Sequence, residues 1–140
     1  MSPRKLDLKR SLKKTNNELA ALNRELATQM IVLASETGET GPLLQAVQTL
    51  RSVEKLYSVD DSPRESAEVQ QALGDTLLKV GRQKEDKQAI EHAVQAYRGA
   101  ITMASLLGDD KMRAELKKNY GIARSLLGKG HKTYSLFKVA

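Results

Sequence analysis

The 140-residue chain has no cysteine, no tryptophan, one phenylalanine and only three prolines. Without cysteine there is no disulfide framework, no thiolate metal site and no cysteine nucleophile, and the composition suits a reducing compartment. The longest unbroken apolar stretch runs only from Met30 to Ala34, far short of the ~20 residues that a membrane-spanning helix needs. The basic start of the chain also lacks the apolar core of a signal peptide. A cytoplasmic location is the expectation. Proline is scarce, Leu, Ala, Lys, Glu and Gln dominate, and no segment alternates with period two for long enough to make a strand. These features predict an all-α fold with room for about five helices of ordinary length.

The net charge of +6 is unevenly placed. Residues 1–14 hold six basic residues and one acidic one, and residues 128–140 hold three lysines. The stretch between them has 14 basic and 16 acidic residues. A protein that grips a duplex along its body carries a basic stripe there. Here the charge belongs to two tails, so any contact with nucleic acid or an anionic surface would come from the termini.

What the chain does contain is a repeat at a spacing of 47 residues. Ala46-Val47-Gln48-Thr49-Leu50-Arg51 returns as Ala93-Val94-Gln95-Ala96-Tyr97-Arg98. The same offset sets Ala20 over Ala67 and Ala114, Leu26-Ala27 over Leu73-Gly74 and Tyr120-Gly121, and Ala34 over Gly81 and Gly128. Self-similarity at this period marks an array of helix hairpins, which presents surface rather than catalytic chemistry. The division expected is a basic segment over 1–15, a repeat domain over 16–128 (repeats at about 20–66, 67–113 and a partial 114–128), and a basic, partly apolar tail over 129–140.

Cap signals set the expected helices. Thr15-Asn16-Asn17-Glu18 has the form of a capping box and predicts a first helix over 16–36, with a backward extension through Leu6 and Leu12 as the other reading. Thr40-Gly41-Pro42 opens a second helix ending near Val59. Ser62-Pro63-Arg64-Glu65 opens a third, closed by Gly81. Asp86 caps a fourth that ends before Gly108, and Asp109 or Asp110 starts a fifth, closed by Gly128. Short connections make successive helices antiparallel neighbours. Tyr134, Leu136, Phe137 and Val139 form a last apolar cluster, read as a cap over the final helix or a short docking helix.

Residues 67–81, AEVQQALGDTLLKVG, resemble the first helix of a tetratricopeptide repeat, with Ala67, Leu73-Gly74, Leu77 and Gly81 at its small and apolar positions. Ala93, Tyr97 and Ala100 resemble the second-helix pattern. Residues 20–34, 46–53 and 114–128 carry weaker versions, so the resemblance covers about 20–128. The 47-residue period is longer than the family's usual ~34, and a longer second helix would absorb the excess in phase. The resemblance implies an α-solenoid whose first helices line a protein-binding groove. Its groove positions fall on Arg24, Thr28 and Ile31, then Gln71, Asp75 and Leu78, then Lys118, Ile122 and Ser125. On that footing the chain is a non-catalytic adaptor for a protein or peptide segment. Asp75 would repel a carboxylate, so an amphipathic or extended segment resting on Ile31, Leu78 and Ile122 is the expected ligand. Self-association through the array ends would supply what so short an array lacks.

Other motifs carry less. Leu12, Leu19, Leu26 and Leu33 are spaced by seven after a basic stretch, as in a zipper, but with Asn16, Asn23 and Met30 taken as the intervening positions they read as hairpin core. His92 and His131 have no second ligand at metal spacing, and no cofactor is expected. Asp60-Asp61 and Asp109-Asp110 precede helix starts and read as caps rather than as an acid/base pair. Gly128-Lys129-Gly130-His131-Lys132-Thr133 lacks the spacing of a phosphate-binding loop.

Overall fold

Five helices follow one another in a computed structural model: α1 (Pro3–Thr37), α2 (Gly41–Leu56), α3 (Pro63–Lys84), α4 (Lys87–Leu107) and α5 (Asp110–Val139). It describes residues 3–57 and 62–139, with side chains over 4–57 and 62–128, and no strand occurs among them. The fold is all-α. Each helix packs on its successor, and α3 also touches α5. No described helix is long and apolar enough to cross a membrane. Asp60-Asp61, His131 and the apolar cluster Tyr134, Leu136, Phe137 and Val139 lie outside the residues whose side chains are described.

Where caps are made by backbone geometry or by aspartate, the expected boundaries hold. Asp86 accepts from the amides of Gln88 and Ala89 at 3.0 and 3.3 Å and starts α4, and Gly108, at φ 70°, ends it. Asp109 accepts from the Met112 amide at 3.0 Å at the start of α5. The hydroxyl signals behave differently. Thr15 lies inside α1 and donates to the Ser11 carbonyl at 3.0 Å, so the first helix takes the longer reading, back to Pro3. Thr40 and Ser62 occupy N-cap positions without a side-chain capping bond. The Thr40 hydroxyl instead donates to Gln83 of α3 at 3.3 Å. The second helix ends at Leu56, short of Val59.

Gly81 and Gly128 do not close their helices. α3 runs on to Lys84 and ends on Glu85 at φ 52°, and α5 continues past Gly128 to Val139. Gly81 serves proximity instead of a turn, because a Cβ there would overlap the Ile90 side chain of α4. The residues that lengthen the repeat lie in the helices, since only residues 85 and 86 separate α3 from α4.

Alanine forms the packed stripe of α1. Ala20, Ala27 and Ala34 are buried to 2 % exposure or less, and so are their repeat equivalents Ala67 and, on the same face of α3, Gly74 and Gly81 are buried too. Small residues at every second turn let the two helices of a hairpin approach closely. The heptad leucines sit one residue earlier, about 100° around the helix. Leu12, Leu19, Leu26 and Leu33 are therefore exposed, not hairpin core as expected. The main core joins Leu43, Ala46 and Leu50 of α2, Leu73 and Leu77 of α3, Ile90, Ala93 and Tyr97 of α4, and Leu116 and Ala123 of α5. A smaller cluster of Ala20, Val53 and Val69 closes the end beneath Leu56 and Tyr57.

Candidate functional site

The candidate site is the face on which α1, α3 and α5 succeed one another. Polar side chains bridge these helices from one repeat to the next. Arg24 of α1 donates to Glu68 of α3 at 2.8 Å. Arg64, at the start of α3, donates to Asp109, at the start of α5, at 3.0 Å. Asn119 of α5 donates to Asp75 of α3 at 3.4 Å. The sequence separations of these bridges are 44 or 45 residues. They fall two or three residues short of the repeat period, less than one helical turn, which is how parallel helices of successive repeats meet when they lie side by side.

The nine groove positions divide by exposure. Lys118, Ile122 and Ser125 of α5 are exposed, as is Thr28 of α1, whose hydroxyl donates back to the Arg24 carbonyl at 3.0 Å. Arg24, Ile31 and Gln71 are half-buried, and Ile31 packs on the main core. Leu78 is 9 % exposed and belongs to that core. It offers a partner no surface, because α3 is the middle helix and is enclosed by its neighbours.

Asp75 is engaged from within. Tyr97 of α4 is fully buried and donates its hydroxyl to Asp75 Oδ1 at 2.5 Å, the same oxygen that Asn119 reaches. Burial pushes the Tyr97 phenol far above its usual range, and the adjacent carboxylate adds to this. Burial also raises the Asp75 carboxyl, against the opposing pull of the Tyr97 hydrogen bond and of Lys79. The pair therefore works as a polar tie among α3, α4 and α5. Glu68 and Asn119 were not singled out from the sequence, and Tyr97 was named there only as a packing position of the second-helix pattern, not as a partner of Asp75. The signal for the first two was the 44-residue separation from Arg24 and Asp75.

At the outer edge of α5, Arg98 of α4 and Arg124 of α5 stack over the Tyr120 ring at 5.9 and 5.7 Å. The guanidinium of Arg98 donates to the Tyr120 hydroxyl at 3.3 Å and, with Arg124, holds that phenol below its usual range. On another side a cleft brings exposed His92 near Arg51, Glu54, Gln70 and Gln95. Among the described residues no three His, Asp or Glu side chains gather as metal ligands. No family model, curated protein or solved structure matches the chain.

The raised Asp75 carboxyl has a consequence for stability. A carboxyl raised by folding stabilises the native state fully below its unfolded pKa of about 3.9. That contribution is lost as pH rises through the folded value. Asp75→Asn keeps an acceptor for Tyr97 and carries no charge, so its urea midpoint is expected to gain on that of the wild type from acid to neutral pH. An offset that does not change with pH would exclude this.

Proposed function

We propose that the chain is a non-catalytic adaptor of tetratricopeptide-like build, which seats a segment of a partner protein along the face of α1, α3 and α5. The observation that carries this reading is the way those helices are joined. Polar bridges tie them side by side, while Thr28, Lys118, Ile122 and Ser125 stay exposed on the same face. With Leu78 enclosed, the apolar footing for a ligand narrows to Ile122 and the open part of Ile31. An amphipathic segment that presents an apolar anchor to Ile122 and an acidic group to Lys118 fits that surface.

Lys118→Glu combined with Ile122→Asp tests the reading, because both side chains are exposed and the core is untouched. A photo-cross-linking side chain placed at Ser125 should capture one protein from source lysate, and the double variant should reduce that capture at least about tenfold, as loss of a hot spot does. The same cross-linker at exposed Gln95 should not capture it. Equal capture from both positions, or capture insensitive to the variant, would sink the proposal.

A second reading draws on α1. Arg4, Lys5, Lys9, Arg10, Lys13 and Lys14 all lie on its first half, where residues 4–15 are exposed throughout. A nucleic-acid or anionic-surface binder acting through this end would lose affinity steeply with salt, whereas groove binding through Ile122 would hold.

A further inference from the structure

Seven leucines of α1 stand in the open: Leu6 is 42 % exposed, and Leu8, Leu12, Leu19, Leu22, Leu26 and Leu33 are 44 to 65 % exposed. Leu12, Leu19, Leu26 and Leu33 are seven apart, and Leu8 and Leu22 hold the second seam position of the same heptad, with Thr15 and Gln29 at its other two places. This is the spacing by which two helices pair in a coiled coil. The seam does not pass through Asn16, Asn23 and Met30, which are partly buried.

The repeat shows what this face does elsewhere. At the 47-residue offset, Leu19, Leu22, Leu26, Gln29 and Leu33 correspond to Ser66, Val69, Leu73, Thr76 and Val80, all buried. Val69 packs with Val53 of the preceding helix. One repeat further, Leu116 and Ala123 are fully buried. In α3 and α5 this face rests on a neighbouring helix, whereas in α1 its leucines stay exposed, with Leu12 at the rim of a cleft shared with Leu56 and Ser62.

We propose that a second copy of this chain covers it, through antiparallel pairing of the two α1 helices about a twofold axis near Ala20 and Ala21. In that register Leu8 meets Leu33 of the other copy, Leu12 meets Gln29, Thr15 meets Leu26 and Leu19 meets Leu22, so every layer joins the two kinds of seam position. Charge selects the orientation. Residues 3–14 carry six basic side chains and one acidic one, and residues 15–37 carry three acidic and one basic. Antiparallel pairing lays each basic half over an acidic half, whereas parallel pairing stacks the basic halves on each other. Support for the helix favours the same arrangement. α1 is about 52 Å long and α2 about 24 Å, and residues 4–15 are exposed throughout. A helical arm exposed over that length is marginal in water. In the dimer it lies along the half of the other α1 that its own α2 backs. Arg24, Thr28 and Ile31 lie off the seam, so self-association and groove binding are separable.

Sedimentation equilibrium of the full chain should show a monomer–dimer equilibrium at micromolar concentration. Leu22→Glu with Leu26→Glu should weaken it at least about hundredfold, since each change places a charge in an apolar seam, with helical circular dichroism retained. The cysteine-free chain allows the orientation to be read directly. Oxidised alone, Leu8→Cys and Leu33→Cys should each stay largely uncross-linked, and an equimolar mixture should give the mixed disulfide dimer. A chain that stays monomeric, association untouched by the glutamates, or a predominant Leu8→Cys self-cross-link would overturn the proposal.

Discussion

Tyr97→Ala is expected to cost about 4 kcal/mol of unfolding free energy, within the range for truncating a buried aromatic. Two effects combine. The ring is fully enclosed between α3 and α4, so its removal leaves a cavity that flanking helices cannot fill without shifting. Its hydroxyl is also the nearest donor to Asp75, and without it a half-buried carboxylate loses its shortest hydrogen bond. Against a total stability of about 5 to 15 kcal/mol for a domain of this size, the variant should approach the threshold for folding. Tyr97→Phe separates the effects, because it keeps the ring and should cost only about 1 to 3 kcal/mol. Urea unfolding followed by circular dichroism measures both. Equal losses for the two variants would place the whole effect in the hydrogen bond and contradict the packing argument.

Gly74→Ala and Gly121→Ala should change stability in opposite directions, although the two glycines are equivalent in the repeat. A Cβ on Gly74 would meet the Tyr97 ring at 2.7 to 3.0 Å, and that ring has no free space to enter. Overpacking of this kind costs about 1 to 3 kcal/mol, only partly offset by the ~1 kcal/mol that alanine gains over glycine inside a helix. Nothing lies within 4 Å of a Cβ on Gly121, so there the helix-propensity gain of ~1 kcal/mol should appear unopposed. The pair should differ by about 2 kcal/mol in side-by-side urea titrations. Losses at both positions would mean that a helix covers the Gly121 face in solution.

Much of the architecture was legible because repeat and caps are local or periodic signals. The all-α class follows from composition, and the limits of α4 follow from Asp86 and Gly108. Hydroxyl caps were misread because Thr15 can satisfy itself by donating to the carbonyl one turn back inside a continuous helix. Gly81 was misread as a stop because glycine answers to two demands, a left-handed backbone and a close approach, and the residue type does not distinguish them; Gly128 meets neither demand and lies within α5 with no neighbour near its Cβ position. The nine groove positions were what the tetratricopeptide resemblance implied, carried over residue by residue. The structure separates the exposed Lys118, Ile122 and Ser125 from the enclosed Leu78.

The sequence by itself determined a helical chain with a 47-residue register, a charge gathered at its ends and two heptad stripes on α1, one of alanine and one of leucine. Tertiary structure alone decided which stripe is covered. Alanine admits the close approach of α2, so Ala20, Ala27 and Ala34 take the hairpin contact and the leucines one position away are turned outward. It likewise decided that Gly74 and Gly121 differ. The middle helix has packed neighbours on both sides, and the same residue type experiences a different environment on α5, where no described side chain lies against Gly121.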